Sequence, residues 1–231
     1  MRKTVRELSE LLFELQVAND DYYATMDDDE FEEEFEEFFG ATDSDEDDED
    51  DEDEDPAGEF MFRAYVRQRD IGFDAYRDEI AAKVSAIDDP EDLHVLAASI
   101  ESNSAPWQSL VIASHPLCDI VSARMIYWMA GPDTVHEQRS EEADGSGDHG
   151  EDWYGEAVDA IEERARTTGF PEGLDLGFVD GLEQEIDENP EENLGEVIEI
   201  YRLDHDEFLS ECKPDLDYSV EPYSAIPESL R

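Results

Sequence analysis

Apolar residues recur every three to four positions along most of this chain. Val5, Leu8, Leu11, Leu12 and Leu15 make the first stripe, and Thr4 and Glu7 stand before it at capping-box spacing. An amphipathic helix over 4–17 is the expectation. The same period predicts helices over Gly72–Val84 (Phe73, Tyr76, Ile80, Val84) and Pro90–Ile100. The second is preceded by Asp88-Asp89 and opens on Pro90 at the favoured first helical position. Further helices are expected over Trp107–Ala113, and over Asp119–Ala130 up to the Gly131-Pro132 stop. The stripe returns in Asp152–Thr167 (Trp153, Ala157, Ile161), Leu174–Glu188 and Glu192–Leu203, with a last turn at Glu207–Cys212. Thr134–Glu151 is polar and glycine-rich and reads as a long loop; Lys213–Arg231, with three prolines, reads as an extended tail. Phe60–Arg67 fits a strand or a helix equally. The pattern is all-α: a multi-helix array or bundle of short helices on short connections.

Two segments break the pattern. In Asp27–Phe39, Phe31, Phe35, Phe38 and Phe39 recur among nine carboxylates. They could lie on a protein partner as a short helix, or stay solvated, frayed by charge repulsion. Asp43–Asp55 has no apolar residue and reads as a disordered acidic linker. The expected layout is therefore an N-terminal amphipathic helix in 1–26, an acidic aromatic segment and linker in 27–59, a helical domain in 60–212 and a tail in 213–231.

The charge changes the picture of the surface. The chain carries 68 acidic and 15 basic residues, a formal net charge of −53. Residues 27–55 hold 21 of those acids and no cation, so the rest sets 47 acids against all 15 bases and is still at −32. Twelve of the cations are Arg and three are Lys (Lys3, Lys83, Lys213). In dilute buffer this surface repels itself and destabilises the compact state. At molar salt the screening length falls to about 3 Å and that repulsion fades. Acidic residues in place of lysine are the composition of extreme halophiles, of the haloarchaeal type. The other reading is a mesophilic, partly disordered acidic protein, although the apolar fraction outside the tract is ordinary for a globular domain.

Without clustered Lys/Arg, direct nucleic-acid binding is not expected. No apolar run approaches the length of a membrane helix, and glutamates at 7, 10 and 14 do not suit a signal peptide. Cys118 and Cys212 form no metal-spacing motif, which suits a reduced cytoplasmic chain.

Candidate chemistry is sparse. His115 and Cys118, three apart, are the one nucleophile-like pair, and a Cys–His mechanism would need the imidazole within reach and a lowered thiol pKa. The competing reading makes Cys118 a small buried hydrophobe and Asp119 a helix cap. His94 reads as a packed histidine. Asp144-Gly-Ser-Gly-Asp148 begins like a calcium loop, but His149 and Gly155 stand where glycine and glutamate are needed. No cofactor or metal is expected.

One stretch resembles a known family. Pro90-Glu-Asp-Leu-His94-Val-Leu-Ala97, Trp107, His115-Pro116-Leu-Cys118-Asp119 and the helix closing on Tyr127-Trp128 resemble domain of unknown function family 4274, over about residues 88–160. The chain departs from it at Glu101–Trp107, where the family shows an Asn-Trp-Asp-Asp-Gly-like turn. The resemblance implies a small helical fold and carries no activity. Three functional readings stand: a non-catalytic protein–protein interaction protein adapted to high salt; an acidic immunity or inhibitor-type protein that blocks a basic toxin or nuclease; and a Cys/His hydrolase.

Overall fold

Thr4 opens the first helix. Its hydroxyl accepts the Glu7 N–H at 3.2 Å, while the Glu7 carboxylate accepts the Thr4 N–H at 2.9 Å. The computed structural model describes residues 1–19, 21–27, 30–31, 33, 56–100, 106–144, 154–199 and 203–231. Within them the α-helices are α1 Val5–Val17, α2 Tyr22–Thr25, α3 Pro56–Ile71, α4 Phe73–Ser85, α5 Pro90–Ala98, α6 Pro106–Ala113, α7 Ile120–Met129, α8 Pro132–Asp144, α9 Gly155–Arg166, α10 Val179–Glu188 and α11 His205–Cys212. Among the described residues there is no strand, so the architecture is all-α and the ambiguous Phe60–Arg67 lies inside α3.

The first helix is not a separate unit. Leu8, Leu12 and Leu15 share one apolar cluster with Ile80, Leu93, Leu96, Ile126, Leu182 and Leu230. Each such leucine contributes about 1.5–3 kcal/mol by leaving water. Helix α1 touches α3, α4, α5 and α10, and the Lys3 N–H ties it to both oxygens of buried Asp92 at 3.1 and 3.0 Å.

Three sequence expectations need correction. The 134–151 stretch is not all loop. Gly131 takes a left-handed φ of 61° that ends α7, and Pro132 starts α8 at once. That helix was hidden because it buries little, chiefly Val135; its polar faces hold it to α9 through Arg139–Asp159 (2.7 Å) and His136–Glu162 (2.7 Å). The predicted helix at Glu192–Leu203 is broken: Gly195 and Glu196 have φ of 60° and 59°, and among the described residues Pro190–Glu192 and Leu194–Glu196 are 3-10 turns. Leu194 and Ile198 are buried at helical spacing nonetheless, which is the signal the sequence carried. The C-terminal tail is not simply extended. It makes 3-10 turns at Tyr223–Ala225 and Glu228–Leu230 and buries Ile226 and Leu230 in the common core.

In the aromatic-acidic segment, Phe35, Phe38 and Phe39 and the tract 43–55 lie outside the described residues. Phe31 faces inward: it is 5% exposed, stacked on Phe62 with centroids 5.8 Å apart and covered by the Arg69 guanidinium at 4.4 Å.

Six of the twelve arginines are docked on main-chain carbonyls. Arg77 donates to Ala18 and Asn19 oxygens at 2.8 and 3.0 Å, finishing α1, and Arg69 donates to Tyr23 and Met26 at 2.8 and 2.9 Å. Arg124 reaches Ser229 O, Arg166 reaches Ala225 O, and Arg231 reaches Ser224 and Ile226. Arg164 gathers four carbonyls: Ala113 (2.8 Å), His115 (2.7 Å), Pro116 (3.1 Å) and Gly169 (3.2 Å). These are short, charge-assisted contacts that screening over about 3 Å barely weakens. Exposed pairs such as Arg67–Glu79 are worth about 0–1 kcal/mol and less in salt. Arg164→Lys is expected to cost roughly 2–4 kcal/mol, because an ammonium cannot present a planar fork to four acceptors. Thermal unfolding in molar KCl checks it; a change below ~0.5 kcal/mol would contradict the staple.

Candidate functional site

The residues that carry the family resemblance are brought to the α5–α7 region, where His94, His115, Asp119, Tyr127 and Trp128 make internal hydrogen bonds. His94, on α5, is wholly buried. Its Nε2 lies 3.3 Å from the Leu203 carbonyl, which can only accept, so Nε2 carries the proton. Nδ1 then accepts from the Ser122 hydroxyl of α7 at 3.0 Å. Burial pushes this imidazole down to about pKa 4, so it is neutral at physiological pH. His94 is thus a cross-link between α5, α7 and the chain entering α11, with Phe178 edge-on at 6.0 Å.

The loop between α6 and α7 is equally closed. His115 Nδ1 accepts the Leu117 N–H at 3.1 Å, and its carbonyl accepts the Cys118 N–H at 3.0 Å. The Cys118 sulfur is fully buried, with its nearest acceptor the Asp119 carbonyl at 3.8 Å. Burial drives its pKa up to about 12, the opposite of what a nucleophile needs. Asp119 caps α7 through the Val121 N–H at 2.9 Å, and its second oxygen takes the Leu174 N–H at 3.3 Å. Pro116 is exposed but gives its carbonyl to Arg164. In the native protein Cys118 should resist an aromatic disulfide reagent at pH 8, reacting only on unfolding, while half-buried Cys212 labels slowly. Rapid labelling of native Cys118 would contradict this placement.

The far end of α7 faces the C-terminal tail. Trp128 Nε1 donates to Leu230 O at 2.9 Å, and Tyr127 lies edge-on to Trp128 at 5.4 Å. The Tyr127 hydroxyl donates to Glu162 at 2.6 Å. Glu162, on α9 and 2% exposed, also takes His136 Nε2 at 2.7 Å and Arg166 at 2.6 Å. Trp107 sits apart on α6, 5.2 Å from the Arg77 guanidinium. Neither Glu162 nor Arg164 was singled out by the sequence; one is a carboxylate among 68, and the other has main-chain partners that no spacing rule shows.

Among the described residues, no three His, Cys, Asp or Glu side chains are grouped to hold a metal ion. Gly145–Asp148 of the calcium-like loop lie outside them. Among the described residues, no helix is long and apolar enough to cross a membrane. No family model, curated protein or solved structure matches the chain.

Proposed function

We propose that this chain is a non-catalytic protein–protein interaction protein of a cytoplasm at molar salt, with a fold like that of the unknown-function family it resembles. The observation that carries the reading is the fate of its chemistry-bearing residues. His94 has both nitrogens occupied, and Cys118 is sealed with a raised pKa. The same facts weigh against the Cys/His hydrolase. High salt is supported by the way arginines bind carbonyls, which keeps its strength when ion pairs are screened.

The inhibitor reading has its own support. Residues 167–201 contain eleven acids and no cation, and Asp180, Glu183, Asp187, Glu188, Glu191 and Glu192 of α10 and the following turn are exposed. Such a run suits the basic cleft of a toxin or nuclease. Affinity capture at molar KCl, followed by reconstitution from purified components, tests both readings. A one-to-one complex with a partner of ordinary charge supports the first. A basic nuclease silenced on binding selects the second. Absence of any stoichiometric complex, together with substrate turnover by the purified chain, would overturn both.

A further inference from the structure

Arg164 is a cation without an anion. In a chain with 68 carboxylates, none among the described residues lies within ion-pair distance of it. Four of its five N–H groups go to carbonyls, and the fifth, on Nη2, is uncommitted. Phe170 lies 4.3 Å from the guanidinium carbon. Burial depresses the guanidinium's pKa, and no carboxylate acts to offset it. Beside it opens a shallow groove of about 630 Å³, with Pro116, Pro171 and Phe170 as apolar lining and the exposed Ser114 and Thr168 on the same lining.

We infer that this groove binds a carboxylate carried on an apolar body. The guanidinium and its remaining N–H take one carboxylate oxygen. The Ser114 hydroxyl is a donor for a remaining lone pair, the Thr168 hydroxyl, whose O–H is turned to the Gly169 carbonyl at 3.5 Å, flanks it, and the ring and prolines accept the body. A single free N–H suits a monoanion better than a phosphate, which asks for more donors. Salt does not abolish the contact: at about 3 Å of screening, repulsion from the acidic surface is removed while the direct contact survives. The site is independent of the interaction reading above. Two sources share this chemistry: a free aryl or alkyl carboxylate, and the C-terminal carboxylate of a peptide ending in an apolar residue.

The test is NMR titration of the full chain in molar KCl with benzoate and, as a neutral isostere, benzamide. Benzoate should shift the amides of 168–170 saturably, and benzamide should bind at least about tenfold more weakly. Phe170→Ala, checked for native circular dichroism, should weaken benzoate by about fivefold or more, and Ser114→Ala by less. A peptide ending in phenylalanine is then compared as free acid and as amide. A free acid that binds about tenfold tighter than benzoate identifies a chain terminus as the source, and one that does not identifies a small carboxylate. Equal responses to benzoate and benzamide, the lack of saturation, or shifts confined to another face would overturn the assignment.

Discussion

Glu162→Ala is expected to destabilise the protein by about 3–5 kcal/mol, because it leaves the buried Tyr127 hydroxyl and the nearly buried His136 Nε2 without their acceptor. For a chain of this size that lowers Tm by roughly 10 °C. The carboxylate joins four parts of the molecule: Tyr127 on α7, His136 on α8, its own helix α9, and, through Arg166, the carbonyl of Ala225 in the tail. Glu162→Gln keeps the volume and an acceptor for Tyr127, so it should cost less, yet it cannot balance the charge of Arg166. The pH dependence has a definite sign. Burial opposes ionisation of Glu162, but hydrogen bonds from His136, Tyr127 and Arg166 outweigh it and hold the carboxyl below its ordinary 4.5. A depressed carboxylate contributes its stability above the unfolded-state pKa and loses it as pH falls through the folded one. The gap between native and Glu162→Ala proteins should therefore narrow below pH 4.5. Thermal melts at pH 6 and pH 3.5 in molar KCl measure it, and a gap that is absent at pH 6 would contradict the assigned role.

Much of the fold was legible where local signals and burial agree. Helix α1 combines a capping box with a leucine stripe, and both are used. Asp119 and Gly131-Pro132 mark the two ends of α7, and the structure places a cap and a left-handed glycine there. Helix α8 escaped because a helix that hides so little apolar surface has no period to read; its attachments are an imidazole and a guanidinium. The tail escaped for a related reason. Ile226 and Leu230 dock through 3-10 turns, which have no 3.6-residue stripe. At the 190s the stripe was real, but two left-handed residues kept the backbone from following it.

The candidate site was legible only as a set of residue types. His94, Cys118 and Asp119 stand out in sequence because their side chains can do chemistry, but what each does depends on who sits opposite. Ser122 and the Leu203 carbonyl decide His94, and apolar surroundings decide Cys118. Arg164 shows the limit most clearly. Its partners are carbonyl oxygens of residues 113, 115, 116 and 169, and a carbonyl has no letter of its own.

The proposed high-salt adaptation rests on how repulsion and internal staples compare. Outside 27–55 the chain carries −32, and at about 0.01 M salt the screening length of about 30 Å lets those charges act across the molecule. The arginine–carbonyl contacts are local and do not grow to meet that repulsion. At molar salt the repulsion is confined to about 3 Å, and the same contacts with the shared apolar core suffice. The most direct measurement is circular dichroism at 222 nm as the full chain is dialysed from molar KCl to low salt. Most of the helical signal is expected to be lost on dialysis and to return when KCl is restored. An unchanged spectrum at low salt, with an unchanged thermal midpoint, would contradict the proposed adaptation.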